Sequence, residues 1–152
     1  MKNTTLAVIT LIGVILCPAV MAWGVEGHKV VAAIAQSMLT NNAQSACSVW
    51  LGSGTSIVDI APQPDTYRAT SHGAWSTPLH FVDMPLDANE FTMSVGCPNN
   101  KCVVGAILNY TKILQTATPY YVPNDNWHED TPSPLAFLVH FVGDVHQPLH
   151  VS

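Results

Sequence analysis

The segment His140-Phe-Val-Gly-Asp144-Val-His146-Gln-Pro-Leu-His150 brings three histidines and an aspartate into one short stretch. On a helix, positions four apart share a face, so His140 and Asp144 can address a single metal ion. Pro148 ends regular helix and frees His150 to turn towards the same cavity or a neighbouring one. Imidazole and carboxylate are ordinary zinc ligands. Leu138, Val139, Phe141, Val142 and Leu149 surround the pair with apolar bulk. A histidine and an aspartate buried there need compensation, either a metal ion or a simple His–Asp hydrogen bond. His146 falls on a different side of the helical wheel from Asp144 and reads as a surface or supporting histidine. Gln147 reads as a partner for a backbone group or a ligand.

Other segments carry further candidates. Asp65 lies in a proline-rich stretch with Arg68 three residues on. A carboxylate with a nearby guanidinium suits metal plus phosphate; the competing reading is a surface ion pair. His80 sits in TPLHFVDMP, where Thr77, Pro78 and Pro85 predict a constrained segment. It is a ligand candidate, with Phe81 as a stacking surface and Asp83 as a hydrogen-bond acceptor. The alternative is a capped histidine with Phe81 in the core. His72 and His128 stand among polar residues and read as surface positions.

These side chains need elements to hold them. His28 to Leu39 has helical apolar spacing. Asn41, Asn42 and Ser45 predict a break before a short segment at Cys47–Leu51. Gly52, Gly54, Pro62 and Pro64 mark loops. Val103 to Thr116 reads as a second helix, with Val104, Ile107, Leu108 and Leu114 as its apolar set. Pro119 to Pro134 reads as a surface loop, with Thr131 or Ser133 capping the next element. Leu135 to Val145 reads as a buried third helix, although a buried strand has the same apolar run. The fold class expected is all-α.

The chain has 152 residues, at most one ordinary domain. Residues 1–22 read as a secretory signal peptide: Lys2, the uncharged run TLAVITLIGVIL, and the exit Val20-Met21-Ala22. The rival is a membrane anchor, for which the run is near the lower length limit. Cleavage after Ala22 leaves residues 23–152 as the mature domain. Trp23 then offers a free α-amine and its own carbonyl, able to chelate one metal ion, with His28 close behind. The plain alternative is a tryptophan anchoring a helix. Residues 23–152 hold four basic residues against ten acids, a formal charge of −6. Nothing there resembles a cationic surface for duplex nucleic acid, but bound metal ions can reverse a local field and admit phosphate.

An oxidising compartment permits a Cys97–Cys102 disulfide closing the CPNNKC loop. A zinc knuckle would need a second cysteine pair, which is absent. Cys47 is then odd, either a buried thiol or one whose partner lies elsewhere. The sequon Asn109-Tyr110-Thr111 offers a glycan acceptor.

Trp23 to His28 (WGxxGH), TPLHFVD, CPNNKCVVGAI and HFVGDVHQPLH, in this order and spacing, resemble the zinc-dependent single-strand nucleases and 3′-nucleotidases of fungi, plants and protists. That family is related to bacterial zinc phospholipase C. The resemblance implies a mostly helical fold and three zinc ions. It implies that Asp65, His80, His140 and Asp144 hold one zinc. The Trp23 amine and carbonyl, His28 and a shared Asp144 would hold another, and His150 would begin the third site. Arg68 would contact phosphate, Phe81 would stack on a base and Asp83 would help recognise it, with Asp65, Arg68 and Asp144 as catalytic residues. Substrates implied are single-stranded DNA and RNA and 3′-mononucleotides, acted on by a secreted monomer.

Two departures stand out. The family usually has Trp-Ala before the loop aspartate, where this chain has Gln63-Pro64. The family also continues beyond HQPLH, supplying another histidine and aspartate to the third zinc, a Gly-Gly-Asn segment and base-pocket residues. The resulting expectation is a truncated chain. Competing functions are a phospholipase C-like phosphodiesterase and a zinc-binding fragment without turnover.

Overall fold

The computed structural model describes residues 23–52, 54–116 and 130–151. The signal-peptide reading of 1–22, His128 and most of the loop read at Pro119–Pro134 fall outside them. The described residues are helical and form no β-sheet; the one extended pairing is an isolated parallel bridge between Val82 and Val151. No described helix is long and apolar enough to cross a membrane.

Helix α1 runs Val25–Met38. Helix α2, Asn41–Leu51, is continuous where the sequence predicted a break. Thr40 caps it through Ala43 N–H. Ser45 and Ser48 then donate to the carbonyls four residues back, so their hydroxyls are satisfied without leaving the helix. Helix α3, Ile57–Ile60, starts on a capping box between Ser56 and Asp59.

Helix α4, Gln63–Arg68, corrects the loop reading around Pro62 and Pro64. Pro64 occupies the first turn, where its missing N–H costs nothing. Asp65 and Arg68 therefore project from a helix. A 3-10 helix, Ala74–His80, follows, then short α5, Met93–Gly96. Helix α6 spans Val103–Thr116. Its buried stripe is Val103, Ala106 and Tyr110, while Leu108, read as part of its apolar set, is 60% exposed. Helix α7, Pro134–Val145, takes Ser133 as its cap, with Pro134 at its start. That resolves the helix-or-strand ambiguity in favour of helix.

Helix α7 is the hub, packed against α1, α3, α4 and α6. On one side Phe137 and Phe141 join Tyr67, Val82, the half-cystines, Val103, Ala106 and Tyr110. Tyr110 stacks on Phe137 with ring centroids 4.8 Å apart. On the other side Leu135 and Ala136 meet Ala32, Ile57, Ile60 and Ala61. Helix α7 is buried on both flanks, which is why its sequence is so uniformly apolar. Its position brings the polar residues on it, His140 and Asp144, to the centre of the protein.

Candidate metal centre

Four buried or half-buried side chains from three segments converge on one point. Asp144 and His140 come from α7, His80 from the end of the 3-10 helix, and Asp65 from the first turn of α4. His140, His80 and Asp144 are fully buried. Asp144 Oδ2 lies 2.9 Å from His80 Nδ1 and 3.1 Å from His140 Nε2. The two ring nitrogens are 3.0 Å apart. Asp65 Oδ1 completes the group, 3.7 Å from His140 Nε2 and 3.8 Å from His80 Nδ1.

These separations suit a metal ion. Zinc bonds to nitrogen and oxygen of ~2.0–2.1 Å place tetrahedral ligands about 3.3 Å apart. The five separations above bracket that edge for His80 and His140 with either carboxylate, and among the described residues Asp65 and Asp144 fall in two separate metal-sized groups that share His140.

Proton accounting points the same way. His140 Nδ1 donates to the Ala61 carbonyl at 2.7 Å. A carbonyl can only accept, so Nε2 of neutral His140 presents a lone pair to the Asp144 carboxylate. Two acceptors at 3.1 Å require a cation between them, a proton or a metal. His28 Nδ1 and Nε2, His80 Nε2 and Asp144 Oδ1 are buried without a hydrogen-bond partner. Buried orphans of this kind are costly unless something binds them.

His28 adds a second group. It is buried on α1, with its ring stacked on His140. Its Nε2 lies 3.4 Å from Asp144 Oδ1 and 3.6 Å from Asp65 Oδ2. Two sets can therefore each hold a metal ion, His28–His140–Asp144 and Asp65–His80–His140. They overlap at His140, whereas the resemblance implied sharing through Asp144; the Asp144 carboxylate nevertheless faces both, one oxygen to each.

His150 Nδ1 donates to the His80 carbonyl at 2.7 Å and lies 3.4 Å from Asp144 Oδ1. Neither candidate metal group among the described residues includes His150. Gln147, buried at the turn after α7, accepts from Leu149 N–H and so shapes the short helix that carries His150. Trp23 donates its indole N–H to the Gly143 carbonyl at 3.0 Å, anchoring the start of the described chain beside Asp144.

Burial holds the His28 pKa down to about 4, with His140 adding to the effect. Burial likewise lowers His80. Burial alone would raise the Asp144 pKa, but the His140 and His80 rings set against it outweigh burial and hold the carboxyl well below its usual range. Burial thus favours neutral rings at His28 and His80 beside an ionised Asp144, the protonation states a divalent cation needs.

Arg68 Nη2 lies 2.9 Å from Asp65 Oδ1, at the exposed rim. Phe81, half-buried, and Asp83, exposed, line a cavity of about 390 Å³. Cys97 and Cys102 are disulfide-bonded, and Cys47 is a half-buried free thiol. Asn109 is exposed on α6. His72 is exposed, 3.9 Å from Asp130 and away from the centre. His146 is exposed, its Nδ1 donating to the Val142 carbonyl. The groove walled by Gln36, Gln44, Cys47 and Ser48, about 450 Å³, lacks any such ligand cluster among the described residues. The Ala61 carbonyl, which fixes the His140 tautomer, is a main-chain atom with no signature in sequence.

The S1/P1 nuclease family model matches residues 23–152, the stretch containing every one of these candidate ligands. The chain belongs to the S1/P1 nuclease family. Similar members are nuclease S1 of Aspergillus oryzae, 36% identical over 84% of this chain and 44% of that protein, and nuclease P1 of Penicillium citrinum, 38% identical over 84% of this chain and 47% of that protein. Endonuclease 2 of Arabidopsis thaliana is 33% identical over 89% of this chain and 47% of that protein. The chain thus spans about half the length of the S1/P1 nucleases it matches.

Proposed function

We propose that the protein is a secreted, zinc-dependent phosphodiesterase that hydrolyses single-stranded DNA and RNA to 5′-phosphorylated products and removes phosphate from 3′-mononucleotides. The convergence of Asp65, His80, His140 and Asp144 carries this reading. Zinc bound there supplies Lewis acidity towards phosphate and lowers the pKa of water.

The chain's own residues do the rest. Asp65, His80, His140 and Asp144 hold one ion. His28, Asp144 and the Trp23 amine and carbonyl, freed by cleavage after Ala22, hold a second, and His150 contributes to a third. Arg68, paired with Asp65 at the rim, would contact the phosphate. Phe81 offers a ring to a splayed base, with Asp83 accepting from the base edge. A duplexed base must be unpaired and unstacked to enter such a cavity, a cost a single strand avoids, which gives the single-strand preference. The Cys97–Cys102 disulfide accords with an oxidising compartment, where Asn109 would carry a glycan.

The test is metal analysis of secreted, cleaved protein, with hydrolysis of single-stranded DNA assayed on the same sample. Retained zinc with turnover supports the reading. Retained zinc without turnover against nucleic acid or phospholipid makes the chain a zinc-binding protein. Release of a phosphorylated headgroup with nucleic acid left intact makes it a phospholipase C-like enzyme.

A further inference from the structure

Residues 23–152 carry only four cationic side chains against ten acids. Two are engaged: Lys29 with Glu26 at 3.5 Å, and Arg68 with Asp65. Lys112 lies on α6 nine positions after Val103, about 13 Å along the axis by helical rise. Lys101 differs. It is exposed, no carboxylate pairs with it among the described residues, and it lines the cavity of Phe81 and Asp83.

The loop that presents Lys101 is fixed. The Cys97–Cys102 disulfide closes it. Val103 N–H donates to the Phe81 carbonyl at 3.0 Å, tying the loop to the stacking residue. The Asn100 carbonyl packs over Gly105, where a Cβ would lie 2.3 Å from that oxygen. Asn99 and Asn100 both take left-handed backbone conformations, with φ of 57° and 58°, so the turn is held in a shape most residues avoid. A lysine on such a platform loses less freedom on binding than one on a loose loop.

The cavity therefore offers three unlike groups: an aromatic face, a carboxylate and an ammonium. A nucleotide sorts onto them in one way. The base stacks on Phe81, its donors meet Asp83, and the phosphate is repelled by Asp83 and attracted to Lys101. The scissile phosphate is already assigned to Arg68 and the metal ligands, so the phosphate at Lys101 belongs to the adjoining nucleotide. Resting on the nuclease reading, we propose that Lys101 is a further substrate-binding residue that grips the phosphate next to the scissile one and favours polynucleotide over mononucleotide.

The experiment measures binding of zinc-loaded protein to a hydrolysis-resistant phosphorothioate oligothymidylate and to thymidine monophosphate across a salt series. One lost phosphate contact lowers the slope of log affinity against log salt by ~0.7 for single strands. Lys101→Gln is expected to show that drop, with oligonucleotide affinity falling at least about 5-fold more than mononucleotide affinity, as lost salt-dependent contacts do. Lys101→Arg, which keeps the charge, should restore the slope. An unchanged slope in Lys101→Gln, or equal losses on both ligands, overturns the role of Lys101 alone. Failure of the unsubstituted protein to bind either ligand overturns the nuclease reading and this role with it.

Discussion

The imidazole of His28 lies face to face with that of His140, centroids 3.8 Å apart and planes 18° from parallel. Gly143 permits this approach: a Cβ there would sit 2.9 Å from His28 Nδ1. Two helices thereby bring ligands from opposite ends of the sequence to the same carboxylate, Asp144. Trp23, bonded to the Gly143 carbonyl, reinforces the crossing.

Gly143→Ala separates this close packing from helix propensity. In an ordinary helix interior the change would stabilise by up to ~1 kcal/mol. Here it is expected to destabilise by about 1–3 kcal/mol through overpacking, and to weaken zinc binding by roughly 10-fold as His28 is displaced. Urea unfolding and zinc titration measure both. A more stable variant with normal zinc affinity would remove Gly143 from any part in shaping the site.

Zinc removal is expected to destabilise the protein, because the ion binds the folded centre and not the dispersed ligands. At free zinc 100-fold above its dissociation constant the gain is about 2.7 kcal/mol per site. EDTA should lower the thermal midpoint by a corresponding amount. In Asp144→Asn the carboxylate facing both ligand sets is gone, and the EDTA-dependent shift should shrink by more than half. An equal shift in the two proteins would show that zinc binds elsewhere.

Acidification of the metal-free protein tests the buried histidines. The His28 pKa is about 4 in the folded state against 6.5 for an unperturbed histidine. The unfolded chain therefore takes up the proton first, and stability falls as pH drops from about 6.5 to about 4. The shift is worth up to roughly 3 kcal/mol. His80, also lowered, adds in the same direction. Asp144 acts below this window: its depressed pKa maintains stability above the usual carboxylate range, and that contribution goes only in stronger acid. Urea midpoints measured in EDTA from about pH 7 to about pH 4 should decline steadily. A flat profile would mean that His28 is not kept neutral by burial.

Much of this candidate centre is legible in the sequence because its side chains obey local rules. His140 and Asp144 share a helix face by spacing alone, and His150 follows a proline stop. Asp65 reads as a candidate in a loop, since Pro62 and Pro64 look like breakers until Pro64 is seen in a first turn. The break expected at Asn41–Ser45 fails similarly: a capping threonine and serine back-bonds turn a polar stretch into helix. The overlap of the two ligand sets at His140 depends on how α1 crosses α7. No periodicity encodes that crossing, and neither does the carbonyl of Ala61 that orients the shared ring.

The disulfide offers a prediction independent of the metal. Cys97 and Cys102 are buried with Val103 and Phe141 in the core, five positions apart. Closing so short a loop restricts the unfolded chain only modestly, so the double change Cys97→Ser with Cys102→Ser should cost about 2 kcal/mol by loop entropy. Two hydroxyls placed in an apolar cluster add a desolvation cost of ~1–3 kcal/mol each where they find no partner. Cys97→Ala with Cys102→Ala removes the link without those hydroxyls. Its smaller loss, measured by urea unfolding, isolates the cross-link. Zinc stoichiometry should be unchanged in both variants, because the loop supplies no ligand. A loss of zinc in the alanine pair would mean that the Phe81–Val103 tie extends its hold to the adjoining His80.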